Sequence, residues 1–399
     1  MKRTSTLLII LLATCLLAAK TTSQRPQSFV ATWATAMEPT GQGDMPRTTN
    51  LTDCSLREIV HVSLGGEQVR LRFSNIFGSE AVDIKSVFIA DARDSLDIEA
   101  STARYLTFKG QRGVRIERGQ AVVSDVLRYH LRPLQRLSIT ICYGQAPQNA
   151  TSHRGSRTTS FIMPGGVKPK QPFVATERVD HWYNLAAIEV AVGESEAAKK
   201  PEVVAIIGNS ITDGRGSTTN AQNRWTDRMA EQLQGSVGVL NLGIGGNCVV
   251  RGGLSQPAAE RFDRDVLEQE GVTRVIVFQG VNDIGGSDNV EQTAKELIEA
   301  YEAFIRKAHE RGLKIYGATI TPFGQSNYWS YFHEAARTTV NEWIRKSGKF
   351  DGVLDFDLLM RDMNNPTQLR QEWQEDWLHP NATGYHAMGE FAGEWLRRQ

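Results

Sequence analysis

Cysteine is scarce in this sequence, with four residues in 399, and none stand at the short spacings that build a metal site. Cys15 lies in the apolar stretch at the beginning. The other three, Cys54, Cys142 and Cys248, are an odd number, so they form at most one internal disulfide and leave at least one thiol. Charge of one sign is also lacking. Basic and acidic side chains balance at 45 each and form no block of like charge, which argues against a nucleic-acid partner, because that binding needs a clustered basic surface. After Ala19 no apolar run approaches the length that crosses a bilayer, so no membrane span is expected. Neither a metal nor an organic cofactor is expected.

What is present begins with a targeting pattern. Lys2 and Arg3 precede an almost wholly apolar Leu7 to Ala19, followed by the polar Lys20 to Gln24. Residues 1–24 are expected to be a signal peptide, and the protein to be secreted or periplasmic. Cleavage after Gln24 would remove Lys2, Arg3 and Lys20 and no acid, taking the net charge from 0 to −3. Leu12-Ala13-Thr14-Cys15 is a degenerate match to a lipoprotein acylation site, so a lipid-anchored form is the alternative. The sequons at Asn50 and Asn149 would matter only in a eukaryotic secretory pathway.

Residues 25–193 read as strand after strand. Arg57 to Leu64 and Gln68 to Asn75 alternate apolar and polar residues about Gly65-Gly66, which predicts a hairpin. Further strands are expected at Val82 to Ala90, Ala103 to Phe108, Val114 to Glu117, Ala121 to Asp125, Leu134 to Tyr143 and Tyr183 to Val192. No segment here has a helical period, so an all-β sandwich of jelly-roll type is expected. Residues 194–201, polar and ending in Pro201, read as a linker. From 202 to 399 strands at Val203 to Ile207, Val237 to Leu242, Arg274 to Phe278, Lys314 to Thr319 and Gly352 to Asp355 alternate with helical patterns. That rhythm predicts an α/β domain with a flavodoxin-like, doubly wound parallel sheet.

Four loops in this second half carry unusual residues. Val203 to Ile207 is a run of apolar, mostly β-branched residues that stops at Gly208-Asn209-Ser210, presenting a serine at the carboxyl end of a buried strand, where ligands of open α/β sheets bind. Asn241-Leu242-Gly243-Ile244-Gly245-Gly246-Asn247 follows the second strand and can bring bare backbone N–H groups close to a ligand. Gln279-Gly280-Val281-Asn282-Asp283 puts a carboxamide after the third. Asp376-Trp377-Leu378-His379 supplies a carboxylate and an imidazole before the last helix. A serine hydroxyl needs an imidazole to take its proton and a carboxylate to fix that imidazole. Ser210, His379 and Asp376 suit those roles. The negative charge of a tetrahedral intermediate needs preorganised donors, for which the Ser210 and Gly246 N–H groups and the Asn282 side chain are the candidates.

These blocks resemble, in order, those of the SGNH branch of the GDSL hydrolases: Gly-Asn-Ser-Ile-Thr-Asp-Gly, the second glycine loop, Gly-Val-Asn-Asp and a final Asp-x-x-His. The resemblance implies a serine esterase or acylhydrolase with an acyl-enzyme on Ser210. The family's usual Asp before the serine is Asn209 here, a position that the proton relay does not need. Leu56 to Gly66 and Ser74 to Gly78 are similar to the β domain preceding the hydrolase in a subfamily of arylesterases and acylhydrolases linked to xylan degradation. That likeness implies short acyl groups, acetyl above all, on plant-type polysaccharides or oligosaccharides. A lipase-like or aryl esterase with the same triad, and a non-catalytic polysaccharide-binding surface protein on a hydrolase scaffold, are the alternatives. Asp213 and Asp283 are expected to hold their loops through side-chain to backbone bonds. Phe323, Tyr328, Trp329, Tyr331 and Phe332 suit core packing, with sugar stacking or an acyl pocket as alternatives. His61, His181 and Trp182 read as structural; His153 and His309 carry no local signal.

Overall fold

The computed structural model describes residues 28–41, 43–94, 96–193 and 200–399. The expected signal peptide and residues 194–199 of the expected linker lie outside the described residues. The first half is built of antiparallel strands in two large sheets. One sheet runs Phe29–Ala34, Leu185–Ala191, Gly66–Ser74, Ala121–Val123, with Leu127–Leu131 also pairing with Gly66–Ser74. The other runs Glu177–Val179, Ser160–Pro164, Cys54–His61, Arg136–Tyr143, Val82–Asp91, Arg104–Tyr105, with Val114–Ile116 also on Val82–Asp91. Alternation decides what each face buries. Val87 and Ile89 join the main apolar core, while Phe88 points the other way into a small cluster with Cys142, Phe161, Val167 and Phe173.

The hairpin expected about Gly65-Gly66 does not form. Cys54–His61 and Gly66–Ser74 lie in different sheets, and the chain between them crosses from one to the other. Val62 N–H donates to Gln135 O at 3.0 Å, Ser63 N–H to Thr32 O at 3.0 Å and Leu64 N–H to the Thr32 hydroxyl at 2.7 Å. The backbone groups that a hairpin would use are therefore spent on other segments. Several short strands went unexpected, among them Leu127–Leu131, Ser160–Pro164 and Thr151–His153, because runs this short carry no readable alternation. Thr151–His153 belongs to a small third sheet between Trp182–Tyr183 and Glu38–Pro39.

The second half is a five-stranded parallel sheet in the order Val237–Gly243, Glu202–Gly208, Arg274–Phe278, Lys314–Ala318, Gly352–Leu354. Glu202–Gly208 is the first of these in the chain and lies second across the sheet, so the winding reverses at its carboxyl end and opens a crevice there. The major helices are Trp225–Gln232, Val290–Glu310, Tyr331–Lys346 and Ala382–Arg397. Between Val237–Gly243 and Arg274–Phe278 the chain makes an α-turn, Ala258–Phe262, running on into a wider π-turn, Asp263–Leu267. The last helix packs closely on Trp225–Gln232, because Gly389 faces the Trp225 carbonyl where a Cβ would lie 2.6 Å away.

The two halves share one contiguous apolar cluster. Ala31 N–H donates to Glu270 O at 2.8 Å, and Val239 N–H donates to the Ser63 hydroxyl at 3.0 Å. Among the described residues no helix is long and apolar enough to cross a membrane. Cys54, Cys142 and Cys248 are buried free thiols.

Candidate active site

Ser210 opens a single helical turn, Ser210–Asp213, directly after the strand Glu202–Gly208. Asn209 caps that turn, its side-chain oxygen accepting the Ile211 N–H at 3.0 Å. The Ser210 carbonyl accepts the N–H groups of Gly214 and Arg215, each at 2.9 Å. This fixes the serine backbone from both sides.

His379 is set by a loop that closes on itself. Glu375 N–H donates to the His379 carbonyl at 2.9 Å, and Asn381 N–H donates to Trp373 O at 3.0 Å. Asn381 then caps the last helix through the N–H groups of Thr383 and Gly384. Gly216 brings the serine loop against this one: its φ is +90°, and a Cβ there would lie 2.2 Å from the Pro380 carbonyl.

The distances follow from that packing. Ser210 Oγ is 2.8 Å from His379 Nε2, and His379 Nδ1 is 2.8 Å from Asp376 Oδ2. Asp376 Oδ1 also accepts the backbone N–H groups of Leu378 at 3.1 Å and His379 at 2.8 Å. Because Nδ1 faces a carboxylate it carries the proton, which leaves the Nε2 lone pair for the serine hydroxyl. Burial lowers the His379 pKa from its ordinary value and outweighs the opposing pull of Asp376. Burial pushes the Asp376 carboxyl up, but its bonds to the His379 ring and to the two N–H groups hold it below its ordinary value. The pair is therefore poised as a neutral base beside an ionised carboxylate.

Asn282 and the glycine loop are joined by Asn247. Asn282 Nδ2 donates to Asn247 O at 2.8 Å, and the Tyr328 hydroxyl donates to Asn282 Oδ1 at 3.2 Å. Gly246 has a φ of +66°, and its carbonyl accepts the Leu254 N–H at 2.9 Å. Asn247 is fully buried: its Oδ1 accepts from Gln279 Nε2 at 3.1 Å and from Arg261 Nη2 at 2.9 Å, and its Nδ2 donates to Leu254 O and Gln256 O. Arg261, with no exposed surface, also donates to Gly208 O and Leu242 O, and so ties together the carboxyl ends of the first two parallel strands. Asn247 stood in the glycine loop without an assigned role, and Arg261 gave no signal, because nothing in its neighbourhood marks a cation as buried.

Asp283 holds its loop as expected, its carboxylate accepting the N–H groups of Val249 and Val250, and burial raises it to about 6. Asp213 departs from expectation. Its carboxylate bonds side chains of the first half, His153 Nε2 at 2.9 Å and Arg157 Nη2 at 2.6 Å, because its turn points into the seam between the halves rather than back on its own loop. Of the aromatic residues, Phe323 is fully buried, whereas Tyr331 and Phe332 are 82 % and 75 % exposed. Trp329 meets Tyr331 edge to face at 4.9 Å between ring centroids. Among the described residues no group of His, Cys, Asp and Glu could hold a metal ion.

Residues 206–387 match the model of the family described as GDSL-like lipase/acylhydrolase. Comparison with curated proteins gives no match. Among solved structures, a protein described as lipolytic, of the G-D-S-L family, from Desulfitobacterium hafniense is 25 % identical, with 49 % of this chain and 99 % of that one covered at a TM-score of 0.39. A GDSL-like lipase from Bacteroides thetaiotaomicron is 19 % identical, with 51 % and 92 % covered at a TM-score of 0.40. A catalytic mutant of an acetylxylan esterase from Geobacillus stearothermophilus is 16 % identical, with 51 % and 95 % covered at a TM-score of 0.38.

Proposed function

Proceeding from a chain whose residues 206–387 form a hydrolase domain of the GDSL-like lipase/acylhydrolase family, we propose a secreted serine esterase that removes short acyl groups, acetyl first among them, from plant-type polysaccharides or their oligomers. The observation that carries the catalytic part is the line from Ser210 Oγ through the His379 ring to Asp376, with contacts of 2.8 Å at each end.

His379 Nε2 takes the Ser210 proton as Oγ bonds to the ester carbonyl carbon. The carbonyl π electrons move to oxygen, and that charge is met by the N–H groups of Ser210 and Gly246 and by the Asn282 N–H not given to Asn247. The resulting imidazolium is stabilised by Asp376 and returns its proton to the departing sugar alkoxide as the carbon–oxygen bond breaks. Water then attacks the acyl carbon with His379 again as base, the carbon–Oγ bond breaks as the imidazolium returns its proton to Ser210, and the acid leaves.

The carbohydrate part is supported by two features. One is the likeness of Leu56 to Gly66 and Ser74 to Gly78 to the β domain of polysaccharide-linked esterases. The other is the exposed rings of Tyr331 and Phe332, which follow Tyr328, the residue that holds Asn282. Flat rings with apolar bodies suit a pyranose face. The test is acetate release from a panel of acetylated xylans and pectins, with Ser210→Ala as control. Release by the wild type alone is expected. A strong preference for long-chain nitrophenyl esters, without acetate release, would replace this substrate with a lipase-like one.

A further inference from the structure

We propose that His153, in the first half of the chain, is a positioning residue for the nucleophile: as an imidazolium it holds the Asp213 carboxylate and thereby the turn on which Ser210 stands. The proposal rests on the reading of Ser210 as nucleophile given above.

Ser210–Asp213 is four residues long, far too short to persist as an isolated helix, so its geometry comes from what grips it. The grip is on Asp213, whose side chain is 1 % exposed. Oδ1 meets His153 Nε2, Oδ2 meets Arg157 Nη2, and the Asp213 carbonyl accepts Arg224 Nε at 3.1 Å. His153, Gly155 and Arg157 wrap the carboxylate so closely that a Cβ on Gly155 would lie 2.1 Å from Oδ2. Only glycine fits there.

The charge on His153 follows from its partners. Its Nδ1 is 2.9 Å from the Ala36 carbonyl, which can only accept, so that nitrogen carries a proton. Its Nε2 faces a carboxylate that the Arg157 guanidinium keeps ionised, so that nitrogen carries one as well. Trp182 stacks on the ring with centroids 5.6 Å apart, a favourable neighbour for a cation. Glu38, buried nearby, adds a negative charge, while Arg157 and Arg224 add positive ones. Burial opposes protonation of His153, but Asp213, Glu38 and the Ala36 carbonyl together outweigh it, and the imidazole pKa is raised.

The same region also reaches the segment that follows the glycine loop. Glu38 Oε2 accepts from the Ser255 hydroxyl at 2.6 Å and from Arg154 Nη2 at 3.0 Å. Two loops of the hydrolase half are therefore held by side chains from the other half.

The experiment uses the full chain. In 15N-histidine-labelled wild type at neutral pH, His153 is expected to show both ring nitrogens protonated. In folded His153→Gln, which can donate one hydrogen bond but cannot carry the charge, kcat on a small acetate ester and the rate of fluorophosphonate labelling of Ser210 are expected to fall about 10- to 100-fold, with KM nearly unchanged. Wild-type labelling is expected to decline as pH rises through the His153 titration, and the variant is expected to lack that decline. If His153→Gln fails to fold, the titration and labelling profile of the wild type decide alone. A neutral His153 ring, or a folded variant labelled at the wild-type rate, overturns the proposal and leaves the esterase reading intact. A wild type that fluorophosphonate does not label overturns both.

Discussion

The Tyr328 hydroxyl donates to Asn282 Oδ1 at 3.2 Å and so turns the carboxamide nitrogen toward Asn247 O, to which it donates at 2.8 Å. One N–H of that nitrogen is used by Asn247; the proposed mechanism gives the other to the developing charge. Asn282→Ala should therefore lower kcat by about 10²- to 10³-fold. Tyr328→Phe keeps the ring and loses only the orienting bond, so a smaller fall of about 2- to 10-fold is expected. Steady-state rates on one acetate ester check both, and equal effects of the two variants would contradict the assignment.

Arg261 donates to Gly208 O, Leu242 O, Asn247 and Asp265 without touching solvent. Removing it takes a buried cation from Asp265, which keeps only Arg264, and one donor each from Leu242 O, from Gly208 O and from Asn247 Oδ1, which keeps Gln279. Arg261→Met is expected to lose about 3–5 kcal/mol of stability, measured from the urea midpoint. A midpoint within error of the wild type would show that the network is dispensable.

Stability should also follow pH through the seam between the halves. His61 repeats the arrangement of His153: Nδ1 is 3.2 Å from Asp227 and Nε2 is 3.0 Å from the Leu134 carbonyl. Both imidazoles are raised, with burial opposing and the paired carboxylates prevailing. Their contribution is full below the unfolded histidine value of about 6.5 and is lost as pH rises through the raised folded values. Asp227, which burial pushes up but Arg224 and His61 bring down to about 2, contributes above the ordinary carboxylate range and loses that contribution as pH falls through its folded value. The urea midpoint should fall on the alkaline side in the wild type and less steeply in His61→Gln; parallel profiles would count against a charged seam.

The parallel sheet was legible because each of its strands is a run of apolar residues ended by glycine or a polar loop, and the stop itself places the chemistry. Ser210 and Asn282 stand at such stops, and His379 stands just before the last helix. The first half was read less well. Gly65-Gly66 looks like a hairpin turn, yet the bonding that decides the matter comes from Thr32 and Gln135, distant in sequence. His153 was illegible for the same reason, since its meaning lies in Asp213, sixty residues on, and its own strand is three residues long. Local pattern reports which face is buried; it does not report which polar partner arrives from elsewhere.

Tyr331 and Phe332 expose large rings next to a structured loop, which is unusual for residues of this size. If they stack on sugar, Tyr331→Ala and Phe332→Ala should raise KM on acetylated polysaccharide about 3- to 10-fold and leave KM on nitrophenyl acetate unchanged. Equal changes on both substrates would instead mean a disturbed loop.

The acid limb of activity should report His379. The base must be neutral to accept the Ser210 proton, so kcat/KM falls as pH drops through the His379 pKa of the free enzyme. Burial lowers that pKa, and the Arg215 guanidinium adds to the effect through charge, standing 3.9 Å from Asp376 Oδ2. The limb should therefore lie below the ordinary imidazole value of about 6.5. Arg215→Gln removes a like charge from the neighbourhood of the imidazolium, so the limb should move upward. Because Arg215 is 58 % exposed, salt screens it, and the shift between wild type and variant should shrink at high ionic strength. A limb above 6.5, or one that Arg215→Gln moves downward, would show that another group controls the proton transfer.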